Sequence, residues 1–292
     1  MAVEPMEFSN DPFAETPVEE SDLGKAAAAQ SASDAIIAST TVIADADPND
    51  MFPSDTHVLL PGGLVINGVV YDEAEVRELT GEDEEALART VNGSLFRYLN
   101  MIVELGLVSV GGIKATAEMR DSLLVGDRDT LLLGIRRATF GNEIEFLNVV
   151  CLACNETIGD VTIHLDTIPI NTLSDRSVRE FSVPLRKGGV AIIRLPNGAD
   201  FMALGKNSTL SPAEQNTTLL SRCVLTVSGK NVGGATSLVN KLGVADRKAI
   251  LKFIDDTQPG PRYDKIEFEH DDPDCGKITS LGINVMDLFR EM

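Results

Sequence analysis

Residues 123–154 read LLVGDRDTLLLGIRRATFGNEIEFLNVVCLAC, and the change of period inside this stretch decides the fold class. Asp127 is a good helix N-cap, and Leu131, Leu132, Ile135 and Ala138 follow at helical spacing until Gly141 stops the run. Beyond Gly141 the pattern turns extended, with Ile144, Phe146 and Val149 leading to Cys151-Leu152-Ala153-Cys154. A helix that hands over to a strand and a cysteine knuckle predicts an α+β chain.

The flanks carry the same alternation. Upstream, HVLLPGGLVINGVV (57–70) reads as two short strands about the turn Pro61-Gly62-Gly63. Asp72–Leu79 and Gly81–Thr90 read as short acidic surface helices, and Leu95, Leu99, Ile102 and Leu105 as one helix face. Downstream, Val161–Leu165 reads as a strand, and Phe181–Leu185 with Val190–Leu195 as a hairpin about Lys187-Gly188-Gly189. Ser211-Pro212-Ala213-Glu214 is a capping box that opens a helix, and Asp246–Asp256 is a further helix ending before Pro259-Gly260-Pro261. Segments 265–268 and 278–285 form a last β pair that brackets Cys275.

The expected organisation has four parts. Residues 1–56 are an acidic Ala/Ser-rich arm, and 57–142 a mainly helical domain. Residues 143–205 and 262–292 make a small antiparallel module resembling a zinc ribbon, which joins the helical subdomains. Residues 206–261 are an inserted helical subdomain.

Composition excludes several functions. The net charge is −20, from 25 basic and 45 acidic residues, which opposes binding to a phosphate backbone and suits docking onto a basic protein. The arm holds twelve Asp/Glu and one Lys, and reads either as a solubilising tail or as a strap lying along a partner. No apolar run is long enough to span a bilayer, and the N-terminus does not read as a secretory signal, so the expected site of synthesis is a cytosol. No membrane, nucleic-acid or small-molecule partner is expected.

Four cysteines are too sparse for a disulfide framework at this length. Cys151 and Cys154 have the spacing of a metal knuckle, and the segment His270-Asp271-Asp272-Pro273-Asp274-Cys275-Gly276 is the candidate second half. The expected ligands of a structural Zn²⁺ are Cys151, Cys154 and Cys275, with His270 or Asp272 as the fourth. A degenerate ribbon that packs without metal, and a redox Cys-x-x-Cys, are the alternatives. Cys223 lies in an apolar run with Leu219, Leu220 and Val224 and reads as a buried small hydrophobe.

No catalytic pattern stands out. His57 and His164 lie in apolar strand-like stretches and read as structural. Gly229–Gly234 (GKNVGG) has the residue types of a phosphate loop in the wrong order and reads as a flexible loop. Asp127 and Asp129, a conceivable acid–base pair, sit where a helix begins and read as favouring its dipole. The expectation is a protein without enzymatic activity.

Two stretches taken together, LPGGLVINGVVYDEAEVRELTGEDEEALAR (60–89) and the opening stretch 123–154, resemble the T4-type phage base plate protein family. PGPRYDKIEFEH (259–270) and Cys275-Gly276 match its closing β segment and second knuckle, so the resemblance covers roughly residues 60–292. Asp272 stands where the family pattern expects a cysteine, and residues 1–56 lie outside the pattern. The resemblance implies a structural component of a contractile-tail baseplate, in its hub or inner region, found in the virion and assembled with other tail proteins in the host cytoplasm. An assembly chaperone that leaves the finished particle is the first alternative. A zinc-ribbon regulator associated with nucleic acid is the second.

Overall fold

Asn67-Gly68 takes positive φ at both residues (51° and 79°), the combination that a two-residue hairpin turn needs to match strand twist. In the computed structural model this turn joins β1 (His57–Ile66) to β2 (Val69–Val76) as an antiparallel pair. The model describes residues 56–90, 94–151, 154–206, 210–269, 275, 278–280 and 283–290. The acidic arm, apart from Thr56, and both His270 and Asp272 lie outside the described residues.

Two expectations are corrected here. Pro61-Gly62-Gly63 does not separate two strands; it lies within β1, where the register shifts between Leu59 and Leu64. Asp72–Leu79 is not a helix, because β2 runs to Val76 with Ala74 and Val76 buried and Glu73 and Glu75 exposed. That alternation is the period of a half-buried strand, which the acid content disguised.

After β2 come α1 (Gly81–Thr90) and α2 (Leu95–Gly106), the latter capped by the Ser94 side chain. Next are β3 (Leu107–Val110), β4 (Ile113–Lys114), α3 (Ala117–Ser122) and α4 (Val125–Phe140). The first sheet has the order β1-β2-β3-β4, all antiparallel. Helix α4 packs on β1 and α2, and Leu60, Val76, Ile102, Leu131 and Ile135 are buried in their shared core.

Gly141, at φ 87°, ends α4, and β5 (Glu143–Val150) pairs with β6 (Thr157–His164). Arg136, 2% exposed, fastens the handover by donating to the carbonyls of Gly141 and Glu143 at 3.3 and 3.0 Å. A short strand, β7 (Ile170–Asn171), precedes the hairpin of β8 (Glu180–Pro184) and β9 (Val190–Arg194).

Helix α5 (Gly198–Gly205) packs its Phe201 on the first core, and a second core forms around α6 (Pro212–Cys223), β10 (Val224–Val227), β11 (Lys230–Asn231), α7 (Thr236–Val239) and α8 (Val244–Thr257). Its sheet has the order β11-β10-β9-β8, and Val183, Ile193, Leu220, Cys223 and Ile250 fill it. Ser211 and Glu214 form the expected capping box of α6. Segment 229–234 is more ordered than the expected loop: Ser228-Gly229 turns β10 into β11, with Thr226 opposite Asn231.

Fully buried Asp200 binds Arg222 at 2.6 Å, Arg194 through both oxygens, and the Asn197 amide at 3.0 Å. Burial raises its pKa, but these donors outweigh burial and hold the carboxyl below its usual value. One carboxylate thereby ties β9, α5 and α6 together.

The chain closes through β12 (Gly260–Pro261), which pairs with β7, and through the antiparallel pair β13 (Glu267–Glu269) and β14 (Ile278–Ser280). A 3₁₀ turn, Val285–Phe289, buries Leu288 and Phe289 in the first core. Helices alternate with antiparallel sheets throughout, so the fold is α+β.

Gly126, in the first turn of α4, tests the packing. A Cβ there would lie 1.3 Å from the Pro259 carbonyl oxygen, whereas a Cβ at Gly81 meets nothing within 4 Å. Gly126→Ala is expected to lower stability by more than about 3 kcal/mol. Gly81→Ala is expected to change it by about 1 kcal/mol or less. Urea denaturation of both variants measures the difference, and equal midpoints would contradict the close approach.

Candidate functional site

Three sulfurs converge at the end of the β5–β6 hairpin. The Cys151 amide donates to the Glu156 carbonyl and the Asn155 amide to the Cys151 carbonyl, each at 2.8 Å. Asn155 sits at φ 62°, which folds the chain back after the knuckle. Cys151 is buried and Cys154 exposed. Cys275, 124 residues further on, places its Sγ 3.8 Å from that of Cys151, and all three sulfurs lie within 4.8 Å of one another.

Such a cluster could hold a metal. Zinc bonds thiolate at about 2.3 Å, so two sulfurs on a tetrahedral ion stand about 3.8 Å apart. The Cys151–Cys275 separation fits that edge. For Cys154, the Glu156 amide favours the thiolate, but desolvation and the neighbouring Cys151 and Cys275 sulfurs outweigh it and push the group up to about 11. A cation bound among the sulfurs would reverse that balance. Cys223 stands apart in the second core, where burial and the charge of Asp200 push its thiol up to about 12.

His164 is exposed on β6, its Nδ1 3.4 Å from Glu143. His57 opens β1 with an exposed side chain. Neither adjoins the described thiols as a member of their cluster.

The other constellation went unrecognised in sequence. Helix α4 begins at Val125, with Leu124 as an N-cap that offers no side-chain bond, so Asp127 is not the cap. The consecutive residues Gly126, Asp127, Arg128 and Asp129 instead reach four different places. Gly126 lies against Pro259-Gly260, where the Gln258 amide, oriented to suit the donors around it, accepts from the Gly126 N–H at 2.8 Å. The Gln258 side chain does the capping that the N-cap residue cannot.

Asp127 accepts from the Gly62 N–H at 2.6 Å and so grips the irregular middle of β1. Arg179 donates to the carbonyls of Gly62 and Gly63, and Arg176 to that of Pro61, completing the hold on this bend. Burial pushes the Asp127 carboxyl up to about 6, against the opposing pull of the Gly62 and Gly63 amides and of Arg179 and Arg176.

Arg128, 3% exposed, donates to the Arg120 carbonyl at 3.0 Å and to Asn100 at 2.9 Å, which joins α4 to α3 and α2. Asp129 faces a cleft beside Tyr263. Asp127 keeps its place in the first turn of the helix but also pins a distant strand, whereas Asp129 makes no such bond among the described residues.

The chain is thus an α+β protein with a thiol cluster able to take a metal and a polar junction that pins distant segments. It belongs to the T4 bacteriophage base plate protein family, whose model matches residues 72–277, and is accordingly a phage baseplate protein. Comparison with curated proteins and with solved structures returns no match. The match spans the helix α4 motif, the cysteine knuckle and the Pro259–Arg262 segment.

Asp127 gives a pH-dependent prediction. Its pKa is about 6 in the folded chain against 3.8 ordinarily, so the folded state holds this proton more tightly. The resulting stabilisation is complete below pH 3.8 and is lost as pH rises through about 6. Wild-type stability is therefore expected to fall relative to Asp127→Asn across that window. Asp127→Ala leaves the Gly62 N–H without its acceptor and is expected to lie about 1–3 kcal/mol below Asp127→Asn at any pH. Denaturant midpoints measured from pH 4 to 8 check both; a wild-type–Asn difference that does not move with pH would refute the assignment.

Proposed function

We propose that the chain is a permanent structural component of the hub or inner region of a contractile-tail baseplate, acting through contacts with other tail proteins rather than through catalysis. Membership of the base plate family carries this reading. The −20 net charge supports it, since an acidic surface suits docking onto basic neighbours and opposes nucleic acid. The acidic arm would lie along a partner as a strap, ordering as it binds. Quantitative mass spectrometry of purified virions beside infected-cell lysate tests the proposal. A fixed copy number per tail is the expected result. Abundance in lysate with absence from particles would make the chain an assembly chaperone instead.

Within this reading, Cys151, Cys154 and Cys275 hold a structural Zn²⁺, with His270 or Asp272 as fourth ligand. The module 143–205 with 262–292 then acts as a zinc-ribbon-like joint between helical subdomains. The 3.8 Å sulfur separation supports zinc over a disulfide, whose sulfurs bond at about 2.05 Å. When bound, the ion would supply no chemistry beyond cross-linking two segments far apart in sequence. Elemental analysis is expected to find one zinc per chain, and chelator to lower the melting temperature. A metal-free protein whose melting temperature ignores chelator would exclude the site.

A further inference from the structure

Helix α4 spends Gly126, Asp127 and Arg128 on the fold, but Asp129 is left over. Its carboxylate accepts no hydrogen bond and forms no ion pair among the described residues; the nearest described compensation is the field of the adjacent Arg128. Beside it, the Tyr263 hydroxyl is buried without a hydrogen-bond partner. Both residues line a cleft of about 450 Å³ between the start of α4 and the segment 258–264. Asp129 is half-buried, and the Tyr263 hydroxyl beside it is a buried polar group left unpaired, which is costly and which native proteins rarely keep without a use.

The charge around the cleft tells what would fit. Asp255 and Asp264 also line it, and the cation among the described lining residues, Arg262, is already committed. Arg262 donates to the Asp264 carboxylate at 3.1 Å and to the Asp255 carbonyl at 3.0 Å. Acceptors are thus in surplus. A guanidinium presents five N–H donors in one plane and can serve a carboxylate and a phenol oxygen together. Desolvation pushes Asp129 up to about 7 against the pull of Arg128, and a cation brought beside it would oppose that shift.

We propose that the Asp129–Tyr263 cleft is a docking pocket for an arginine side chain of a neighbouring tail protein. For its partner the proposal rests on the baseplate reading above; for its chemistry it rests on the cleft alone. An arginine entering here would pair its guanidinium with Asp129 and Tyr263 while its methylene stem lay along the cleft wall. Such a desolvated charge pair would fix the orientation of the docked neighbour.

The test uses the full chain and three readouts. The chain has three tyrosines and no tryptophan, so ¹³C labelling of tyrosine gives few resonances, and Tyr263→Phe assigns the one needed. Agmatine, a small guanidinium cation, is expected to shift the Tyr263 resonance of the wild type and to leave Asp129→Asn unmoved. In isolation Asp129→Asn is expected to melt at or above the wild-type temperature at pH 8, because it removes a half-buried charge that has no partner among the described residues. Phage carrying Asp129→Asn are expected to incorporate the protein at least about tenfold less, the scale of one lost charge-assisted contact.

An unshifted Tyr263 resonance would overturn the proposal. So would an Asp129→Asn protein less stable than the wild type, which would give the carboxylate a role inside the fold. Unchanged incorporation of Asp129→Asn would overturn it as well. If the wild-type protein itself were absent from particles, the baseplate-component reading would fail, and the agmatine titration would still decide the pocket.

Discussion

The hydrogen bond from the Gly62 amide to Asp127 is the contact on which the first core is organised. It joins the bend in β1 to the first turn of α4 over 65 residues of chain, at 2.6 Å and fully buried. Around it the backbone packing leaves no room for side chains. A Cβ on Gly62 would come within 2.8 Å of Asp127, Leu124 and Pro259, and Gly126 lies against Pro259 and Gly260. Three backbone segments from three regions of the sequence meet here. The carboxylate is dear in stability, since burial disfavours its charged form, yet it selects one register of β1 against α4. Buried polar groups often act this way, limiting alternatives more than adding free energy. With Arg176 and Arg179 holding the carbonyls of the same bend, an irregular strand becomes a fixed one.

Elements with a strong local signal were legible in the sequence. The end of α4 at Gly141, the capping box at Ser211 and Glu214, and the hairpin about Lys187-Gly188-Gly189 each rest on residues close together in the chain. The failures share a different cause. Asp72–Val76 carries enough acid to pass for a surface helix, and only its pairing with β1 and β3 shows that Glu73 and Glu75 alternate outward. Asp127 passes for an N-cap because local propensity is satisfied either way; its partner at Gly62 is set by tertiary packing. The Pro259-Gly260-Pro261 segment reads locally as a helix stop, and does stop α8, but its second use against Gly126 is invisible without the fold.

The three thiols were legible, Cys151 and Cys154 by their spacing and Cys275 as the Cys-Gly of a second knuckle. Only the folded chain, however, brings Cys275 back across 124 residues to its neighbours. A cross-link between such distant positions restrains more unfolded-state freedom than a local one does, although the gain grows only slowly with loop length. The segment it would clip, leading from β12 to β14, already leans on α4 through Gly260. A metal at the cysteines would therefore secure the far end of a segment whose near end the Gly126–Gly260 contact holds. The two anchors act on one piece of chain from different sides.

The segments that meet around Gly126 serve mostly the architecture. Gly62–Gly63, Gly126–Arg128 and Gln258–Gly260 converge on one junction and hold each other, and a junction of this kind transmits position rather than chemistry. A baseplate subunit is served by such stiffness, because neighbours that dock on several faces need those faces in fixed relation. Fold alone assigns no role, so function has to be sought in the groups that the junction does not consume. Asp129 and Tyr263 are such groups. Asp129 lies two residues beyond Asp127 on the helix that locks β1, and Tyr263 lines the same cleft, so a contact made there would be made beside the junction itself.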